Sequence, residues 1–335
     1  MQKALLATTA LVLSAGVAAA DVTISGYGRT GIIYYENTAT MDAAGVNETQ
    51  VVSRLRMNID ASTETDAGVE FGARFRLQWD QGDTDTSSNP GRLWVSAQGL
   101  TVEVGNVDTA IDSSSLIYAT ELGAYDRSVG FSSMVGNYYA YVAKSYGAGT
   151  PAVVEAGGRV GVAAAYSFGD LTVRASYIDP DQTTDLPAGR DKEIGLLAEY
   201  TWDNRLELSA AYVDNAGGVD GDDIFFIGAR YAVADNARVG LNYVDADGSF
   251  DASSRYGATE IGKTVALYGD YTLADGLTNL EAYVAHNDVD RGVDTTKNAF
   301  GVGVNYDLGG ARLGASIQRD YNKDMTADMG VRFNF

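Results

Sequence analysis

Six arginine residues in the first third of the chain are the side chains with the clearest potential for chemistry. Each lies in a stretch where polar and apolar residues alternate, and each falls on the polar set, so the six would share one face of neighbouring β-strands. The chain around them is acidic, with 24 Lys and Arg against 45 Asp and Glu and a net charge of −21. Gathering guanidinium groups in such a chain requires a compensating negative partner. The six are Arg29, Arg54, Arg56, Arg74, Arg76 and Arg92.

The nearest negative partner in the sequence is a long segment that follows the fifth predicted strand. This segment covers residues 107–158, and a connection of that length without strands of its own is usually functional. We predict that its carboxylates face the arginines across a narrow space and that the two sets create an electric field there. The alternative is that the arginines only solvate a polar interior or bind lipopolysaccharide phosphates nearby. The candidate carboxylates are Asp108, Asp112, Glu121 and Asp126.

Motifs for other chemistry are present but lack the context that they need. Residues 257–264 match the phosphate-binding pattern G-x-x-x-x-G-K-T, which requires a following helix, whereas the residues from Thr264 alternate as a strand. The G-x-G-x-x-G pattern from Gly26 lies inside the first strand, where Gly26 and Gly28 would instead permit close subunit packing. His286 is the only histidine, and alternation places it outward, away from a nucleophile. We therefore predict no catalytic residues.

Composition also limits metals and partners. The chain has no cysteine, which excludes disulfides and cysteine-based zinc sites, and its acidity disfavours a nucleic-acid partner. The acidic runs Asp80–Asp85, Asp220–Asp223 and Asp245–Asp251 contain oxygen ligands suited to Ca²⁺, but none has the spacing of an EF-hand. We expect no cofactor, with Ca²⁺ at these loops left open.

The elements that must position these residues are clearest at Met325–Phe335. The odd positions of this stretch are all apolar, and the even positions are polar or glycine. Period-2 alternation indicates a β-strand, and about ten tilted residues are enough to cross a bilayer as β-structure. The apolar face would contact lipid, and the polar face would line a water-filled lumen.

The same alternation recurs along the chain, and short turns alternate with long polar loops. Counting hairpins predicts an all-β, transmembrane antiparallel β-barrel of about 16 strands, with both termini on the short-turn side. Residues 138–146 also alternate, but an extra strand there would invert the order of turns and loops, so we assign them to the long loop. The predicted strands are Val22–Tyr35, Val51–Ala61, Val69–Trp79, Arg92–Gln98, Thr101–Asn106, Val160–Phe168, Leu171–Ile178, Glu193–Trp202, Arg205–Val213, Ile224–Val233, Ala237–Val244, Thr264–Leu273, Asn279–His286, Phe300–Leu308, Ala311–Tyr321 and Met325–Phe335.

Other features of the sequence agree with a barrel. Residues 1–20 carry Lys3, an apolar run and Ala18-x-Ala20, which is typical of a cleaved secretory signal, so the barrel domain would be 21–335. After residue 20 no apolar run reaches the length of a membrane helix, and a membrane protein without such a helix must be a barrel. Aromatic residues form two predicted girdles. They are Tyr34, Tyr177, Tyr212, Tyr243 and Tyr321 at the loop ends, and Phe168, Trp202, Phe333 and Phe335 at the turn ends. A soluble sandwich or β-helix would have fewer strands or a repeat period that the sequence does not show.

The two ends of the chain resemble those of a known family. The last strand with Phe335 and the opening Asp21-Val-Thr-Ile-Ser-Gly-Tyr-Gly-Arg are similar to the ends of general diffusion porins, in their alphaproteobacterial branch. The resemblance implies a homotrimer of 16-stranded barrels in the Gram-negative outer membrane, in contact with membrane lipid and lipopolysaccharide. It also implies that the third loop folds into the lumen opposite an arginine cluster, and that the barrel-assembly machinery recognises Phe335.

The resulting expectation is a passive outer-membrane channel for small hydrophilic solutes and ions. Sixteen strands leave an aqueous lumen. The alternatives are a substrate-selective channel of the same architecture, a barrel enzyme, and a structural or adhesive barrel. An aromatic ladder in the lumen would favour sugar selectivity, but the inward positions Tyr27, Trp94, Tyr268 and Tyr283 are too dispersed to predict one.

Overall fold

Sixteen β-strands make up the described part of the protein. The computed structural model describes residues 21–36, 47–82, 86–120, 122–124, 160–183, 185–186, 188–246, 262–290 and 295–335. The strands are β1 (Asp21–Tyr35), β2 (Thr49–Glu64), β3 (Glu70–Asp80), β4 (Ser87–Ala97), β5 (Leu100–Gly105), β6 (Val160–Phe168), β7 (Leu171–Asp179), β8 (Glu193–Trp202), β9 (Leu206–Asp214), β10 (Ile224–Ala234), β11 (Ala237–Ala246), β12 (Gly262–Thr272), β13 (Thr278–Asn287), β14 (Asn298–Asp307), β15 (Ala311–Arg319) and β16 (Met325–Asn334).

Each strand pairs with its neighbours in sequence, and β1 pairs with β16 to close the barrel. All of the pairings are antiparallel, and the seam between β1 and β16 runs in register from Tyr27 opposite Asn334 to Tyr35 opposite Thr326. The prediction of an antiparallel barrel of about 16 strands is confirmed. In the described part of the chain, no helix has the length and apolar character needed to span a membrane.

The predicted alternation separates two environments. On β16, Met329 is 63% exposed on the outer face, whereas its neighbour Asp328 is 6% exposed on the inner face. Every second strand from β6 to β14 also carries a tyrosine on its outer face near its turn end. These tyrosines extend the aromatic girdle that is predicted at the turn ends of the strands. These tyrosines, all exposed, are Tyr166, Tyr200, Tyr231, Tyr271 and Tyr306.

The short turns are made by residues that accept a left-handed backbone. Asp203 and Asn204 both have positive φ, 53° and 52°, and they join β8 to β9. Short-chain Asn and Asp tolerate this conformation and are favoured in two-residue hairpins. Gly169 and Gly309 play the same part in the turns after β6 and β14, with φ of 57° and 79°.

The interval between the third and fourth predicted strands, residues 80–91, is shorter in the structure than the sequence predicts. Strand β4 begins at Ser87, because its pairing with β3 continues past a bulge. The register places Arg92 opposite Arg74 and Asn89 opposite Arg76, so two residues of β4 stand against one of β3. The sequence Ser-Ser-Asn-Pro-Gly at 87–91 is typical of a turn, but a bulge accommodates Pro and Gly within a strand.

One prediction about a single residue was wrong. Tyr321 is fully buried in an apolar cluster with Ile117 and does not belong to the outer girdle, because β15 ends at Arg319. The outer faces of Gly26 and Gly28 are covered by the rings of Phe335 and Phe333 of the same chain, and close subunit packing at these glycines stays a prediction. Residues 1–20 and 138–146, predicted as signal and loop, lie outside the described residues.

Candidate functional site: the charged lumen

The six predicted arginines all stand on the inner face of β1–β4, as alternation requires. Two of them pair with carboxylates that lie directly opposite on the neighbouring strand. The Arg54 guanidinium donates to Asp80, and Arg74 donates two hydrogen bonds to Asp60, at 2.6 Å from Nε and 3.0 Å from Nη2. Arg56 and Arg76 donate instead to neutral side chains of the same hairpin, Gln78 at 2.7 Å and Asn58 at 2.9 Å.

Arg92 connects this wall to the long loop. Its Nη1 lies 2.9 Å from Oδ2 of Asp108, the first carboxylate of the loop, and 3.2 Å from Oε1 of Glu103 on β5. Glu103 also pairs with Arg174 of β7, whose Nη2 donates to the backbone carbonyl of Asp108 at 2.8 Å. The two guanidiniums therefore fix the start of the loop. Arg74, Arg76, Arg92, Asn106 and Asp108 line a small cavity beside it.

A second row of arginines crosses the barrel seam. Arg29 on β1 stands directly opposite Arg54 on β2 and opposite Arg332 on β16. Arg332 in turn stands opposite Arg312 on β15. Four guanidinium side chains therefore follow one another around the inner wall across four neighbouring strands. Arg312 and Arg332 join the others only because the last strand pairs with the first.

The described part of the loop, residues 107–120 and 122–124, lies inside the barrel against the opposite wall. It is held by hydrogen bonds to inward side chains of β7, β8, β11 and β16. Ser176 Oγ accepts from Ala110 N at 2.8 Å, Glu199 accepts from Ser115 N at 2.8 Å, and Asn242 donates to Leu116 O at 2.7 Å. At the far end, Ala124 N donates to Asp328 on β16 at 2.8 Å. The predicted inward folding of the loop is confirmed for these residues.

Small residues on that wall leave room for the loop. A Cβ at Gly314 would stand 2.9 Å from the carbonyl carbon of Gly123, and one at Gly330 would stand 3.0 Å from the Cβ of Ala124. On the other side of the loop's path, a Cβ at Gly195 would stand 3.0 Å from the Cβ of Ala110. Contacts this tight permit no larger side chain, so glycine lets the loop lie flat on the wall.

Asp112 has the most perturbed acidity in the described part of the loop. It lies in a 3-10 turn, Ile111–Ser113, and accepts a hydrogen bond from the Tyr118 hydroxyl. Burial raises its pKa to about 6, and the neighbouring Asp108 adds to this, whereas Tyr118 and the Arg76 and Arg174 guanidiniums act in the opposite direction. The charge of this side chain therefore changes close to neutral pH.

The structure brings together Asp108, Asp112 and the arginines, whereas Glu121 and Asp126 lie outside the described residues. The sequence analysis missed the carboxylates that the wall itself supplies. Counting residues outward in both directions from the turn at Thr65–Val69 places Asp60 opposite Arg74 and Asp80 opposite Arg54. The pairing of Glu103 on β5 with Arg174 on β7 depends on how β5 aligns with β6 across the long loop. No short turn in the sequence marks that alignment.

The inward aromatic residues do not form a ladder open to solute. Tyr27, Tyr268 and Tyr283 are 7%, 6% and 2% exposed, so their faces are covered by protein. His286 is exposed on the outer side, with Nδ1 2.9 Å from Oδ1 of Asn298. Among the residues that the structure describes, no three His, Cys, Asp or Glu side chains are grouped as metal ligands.

Known proteins are similar to this chain in sequence and architecture. Residues 7–324 match the family model of Gram-negative porins. The chain is 39% identical over 319 residues to a porin of Fuscovulum blasticum, covering 94% of this chain and 100% of that one. The chain belongs to the Gram-negative porin family. It is also 26% identical to a porin of Rhodobacter capsulatus, with 94% and 100% covered. The structure of a triple mutant of Rhodopseudomonas blastica porin aligns with a TM-score of 0.79 and 36% identity, covering 94% of this chain and all of the other.

This porin is a multi-pass β-barrel of the Gram-negative outer membrane, and it forms a channel for passive diffusion of small hydrophilic solutes and ions. The geometry agrees with that activity, because the barrel has a polar inner face and an apolar outer one. A water-filled lumen is expected when 16 strands surround it. Solutes that pass through this lumen meet the charged groups described above.

Proposed function

We propose that the arginine wall and the inward loop together form the narrowest part of the pore and select solutes by size and charge. Positive charge lies on β1–β4, and the carboxylates Asp108 and Asp112 lie on the loop. A passing ion therefore experiences a field directed across the pore. Low-dielectric walls make this field stronger than the same charges would produce in bulk water.

One observation carries this proposal. The loop leaves β5 at the arginine wall, with Asp108 held at Arg92, and then crosses to the wall formed by the later strands, ending at Asp328. A segment attached on both sides of a lumen must narrow it. The loop carries Asp112 along this path, and we propose that its negative charge faces the arginine wall across the remaining opening.

The proposal is tested by reversal potentials of single channels in a salt gradient. Replacing Arg54, Arg56, Arg74 and Arg76 together with glutamine removes four positive charges, so permeability should shift toward cations. Neutralising Asp108, Asp112, Glu121 and Asp126 should shift it toward anions. Both shifts should be larger in dilute salt, because the screening length is about 10 Å at 0.1 M and grows as salt is removed.

Barrels that are shown to be folded but keep their reversal potentials in both sets would contradict the proposal, and the filter would then lie elsewhere. The arginine variant should also admit larger solutes, which liposome swelling measures. No step makes or breaks a bond, so we propose a channel without catalytic activity. Turnover of a hydrolysable solute by purified porin in liposomes would contradict that part.

We further propose that three copies assemble through the outer face of β1–β5. In the described residues of β1–β5, the outer face has no tyrosine in the turn-end girdle, whereas every second strand from β6 to β14 has one. Thr30 and Ser53 form a hydroxyl pair on this face, at 2.7 Å. Hydroxyl groups are less favourable against lipid tails than against protein, so a second copy suits this surface better than lipid does.

Engineered cysteines test the assembly, because the chain has none of its own. Ser53→Cys should give products linked between subunits when bifunctional thiol reagents are added. The matched control is Leu196→Cys on β8, a residue that is 55% exposed on the outer face. Linking that is equal for the two variants, or seen only with Leu196→Cys, would place the contact on another face.

Three partner predictions remain to be tested. Recognition of Phe335 by the assembly machinery and contact with lipopolysaccharide phosphates are proposed on the family resemblance. Ca²⁺ at the acidic loop runs stays a prediction, and a chelator that lowers the melting temperature of folded barrels would support it. An unchanged melting temperature would count against a calcium role in stability.

A further inference from the structure

Tyr27 is surrounded by arginine side chains from three strands. Its ring centre lies 4.3 Å from the guanidinium carbon of Arg332, 5.3 Å from that of Arg56 and 6.0 Å from that of Arg29. Its hydroxyl group accepts from Arg54 Nη1 at 3.4 Å. The side chain is 7% exposed, so the ring interacts with these cations in a largely desolvated place.

The position of Tyr27 follows from the register at the seam. It stands directly opposite Arg56 on β2, and two residues before Arg29 on the same face of β1. Arg29 is flanked across the strands by Arg54 and by Arg332. Like charges directly opposite one another on neighbouring strands repel and destabilise a sheet. The face of an aromatic ring attracts cations, and a ring among several of them offsets part of that repulsion.

We propose that Tyr27 is a positioning residue for ion selectivity, whose ring gathers Arg29, Arg56 and Arg332 into a compact positive station at the seam of the barrel. This inference rests on the proposed function, in which charges of the lumen wall select ions. It adds a second region to the filter, since Arg312 and Arg332 lie on the last two strands and line a polar pocket with Glu281 and Asn305. The station carries no charge that Tyr27 itself supplies.

We expect the ring of Tyr27, and not its hydroxyl group, to position the arginines and so to affect ion selectivity. The hydroxyl contact with Arg54 is long at 3.4 Å, and Arg54 is already held by Asp80. Without the ring, the guanidiniums separate under their mutual repulsion and turn toward carboxylates of the wall. The positive potential at the station then falls although the number of charges is unchanged. A residue that only filled space would not produce this result.

The test compares Tyr27→Leu, which removes the ring, with Tyr27→Phe, which keeps it. Reversal potentials of the full-length porin in dilute KCl gradients give the permeability ratio of chloride to potassium. We expect Tyr27→Leu to lower this ratio about twofold, in keeping with the strength of a few cation–π contacts, and Tyr27→Phe to leave it unchanged. Equal ratios for the two variants would overturn the proposal.

A double-mutant cycle supplies the second measurement. Arg332→Gln should lower the ratio more in the parent porin than in the Tyr27→Leu variant, because the ring helps to hold Arg332 in the station. Equal effects in the two backgrounds would overturn the proposal. Arg92→Gln, whose partners are Asp108 and Glu103, should act equally in both backgrounds. If Arg92→Gln has no effect in either, the proposed filter at the loop fails, whatever the Tyr27 variants show.

Tyr27→Trp keeps the measurement possible if the leucine variant does not assemble. Its larger ring binds cations more strongly than that of tyrosine. We expect the chloride-to-potassium ratio to stay the same or to rise in folded, heat-modifiable barrels. A ratio that falls in the tryptophan variant would contradict a positioning role for the ring.

Discussion

The two walls of the lumen are lined by different kinds of residue and have different roles. The wall of β1–β5 carries charge, and each hairpin supplies many of its own partners, such as Asp60 for Arg74. The wall of β7–β16 carries the loop, and the inner residues that contact the loop are small or form hydrogen bonds with it, such as Gly314 and Asn242. The first wall acts on the lumen through its charges, and the second positions the loop through close packing and hydrogen bonds. Substitutions of the same chemical kind should therefore have different effects on the two walls.

The largest effect is expected at the seam, where the two walls meet. Phe335 N donates to Gly26 O at 3.0 Å, Gly26 N donates to Phe335 O at 2.8 Å, and the Phe335 ring covers Gly26. Phe335→Ser should therefore prevent closure, so that membranes contain little heat-modifiable barrel on gels. Phe335→Tyr keeps the ring and should assemble. Normal assembly of the serine variant would mean that the aromatic ring is not needed at the seam.

A large side chain beneath the loop should have the next largest effect. Gly314→Leu would collide with the backbone of Gly123, so the loop must move into or away from the opening. We expect the solute size limit and the conductance to change while the barrel still folds. Gly310→Ala is the matched control, since a Cβ there meets nothing within 4 Å. Equal conductance in both variants would show that the loop does not rest on this wall.

Removal of one carboxylate from each wall compares the two directly. Asp60→Asn leaves Arg74 without its paired charge, so the selectivity should shift toward anions with an unchanged size limit. Glu199→Leu removes the acceptor for Ser115 N and Oγ, so the loop should move more. The current in single-channel recordings should then fluctuate more. Glu199→Gln retains an acceptor and controls for the lost charge. The comparison fails if Asp60→Asn changes the noise and Glu199→Leu changes only the selectivity.

The smallest effect is a change with pH at Asp112. Because its pKa is raised to about 6, the side chain is mostly protonated at pH 5 and mostly ionised at pH 7. An ionised carboxylate in the pore attracts cations, so cation preference should grow as the pH rises through that range. In Asp112→Asn the growth should be smaller. Equal pH profiles for parent and variant would assign the titration to another group.

The sequence predicts the barrel better than it predicts the loop, for a physical reason. Alternation is local, so Arg29 and Arg76 could be assigned to the inner face from their own strands. The bulge at Pro90–Gly91 breaks that rule, and residues 87–91 were assigned to a loop as a result. Pairs across a tight turn, such as Asp60 with Arg74, follow from counting. The contact of Ala124 with Asp328 joins residues 204 positions apart, and no local pattern encodes it.

The pairing of β1 with β16 also bears on how the protein can reach its native state. The seam joins the beginning of the described chain to its end, so ring closure requires nearly all of the polypeptide. An incomplete barrel has two open edges with unpaired backbone groups, which invite wrong pairing with other chains. Pairing over so long a sequence separation is also slow. The ring therefore closes only once the last strand is available to pair with the first.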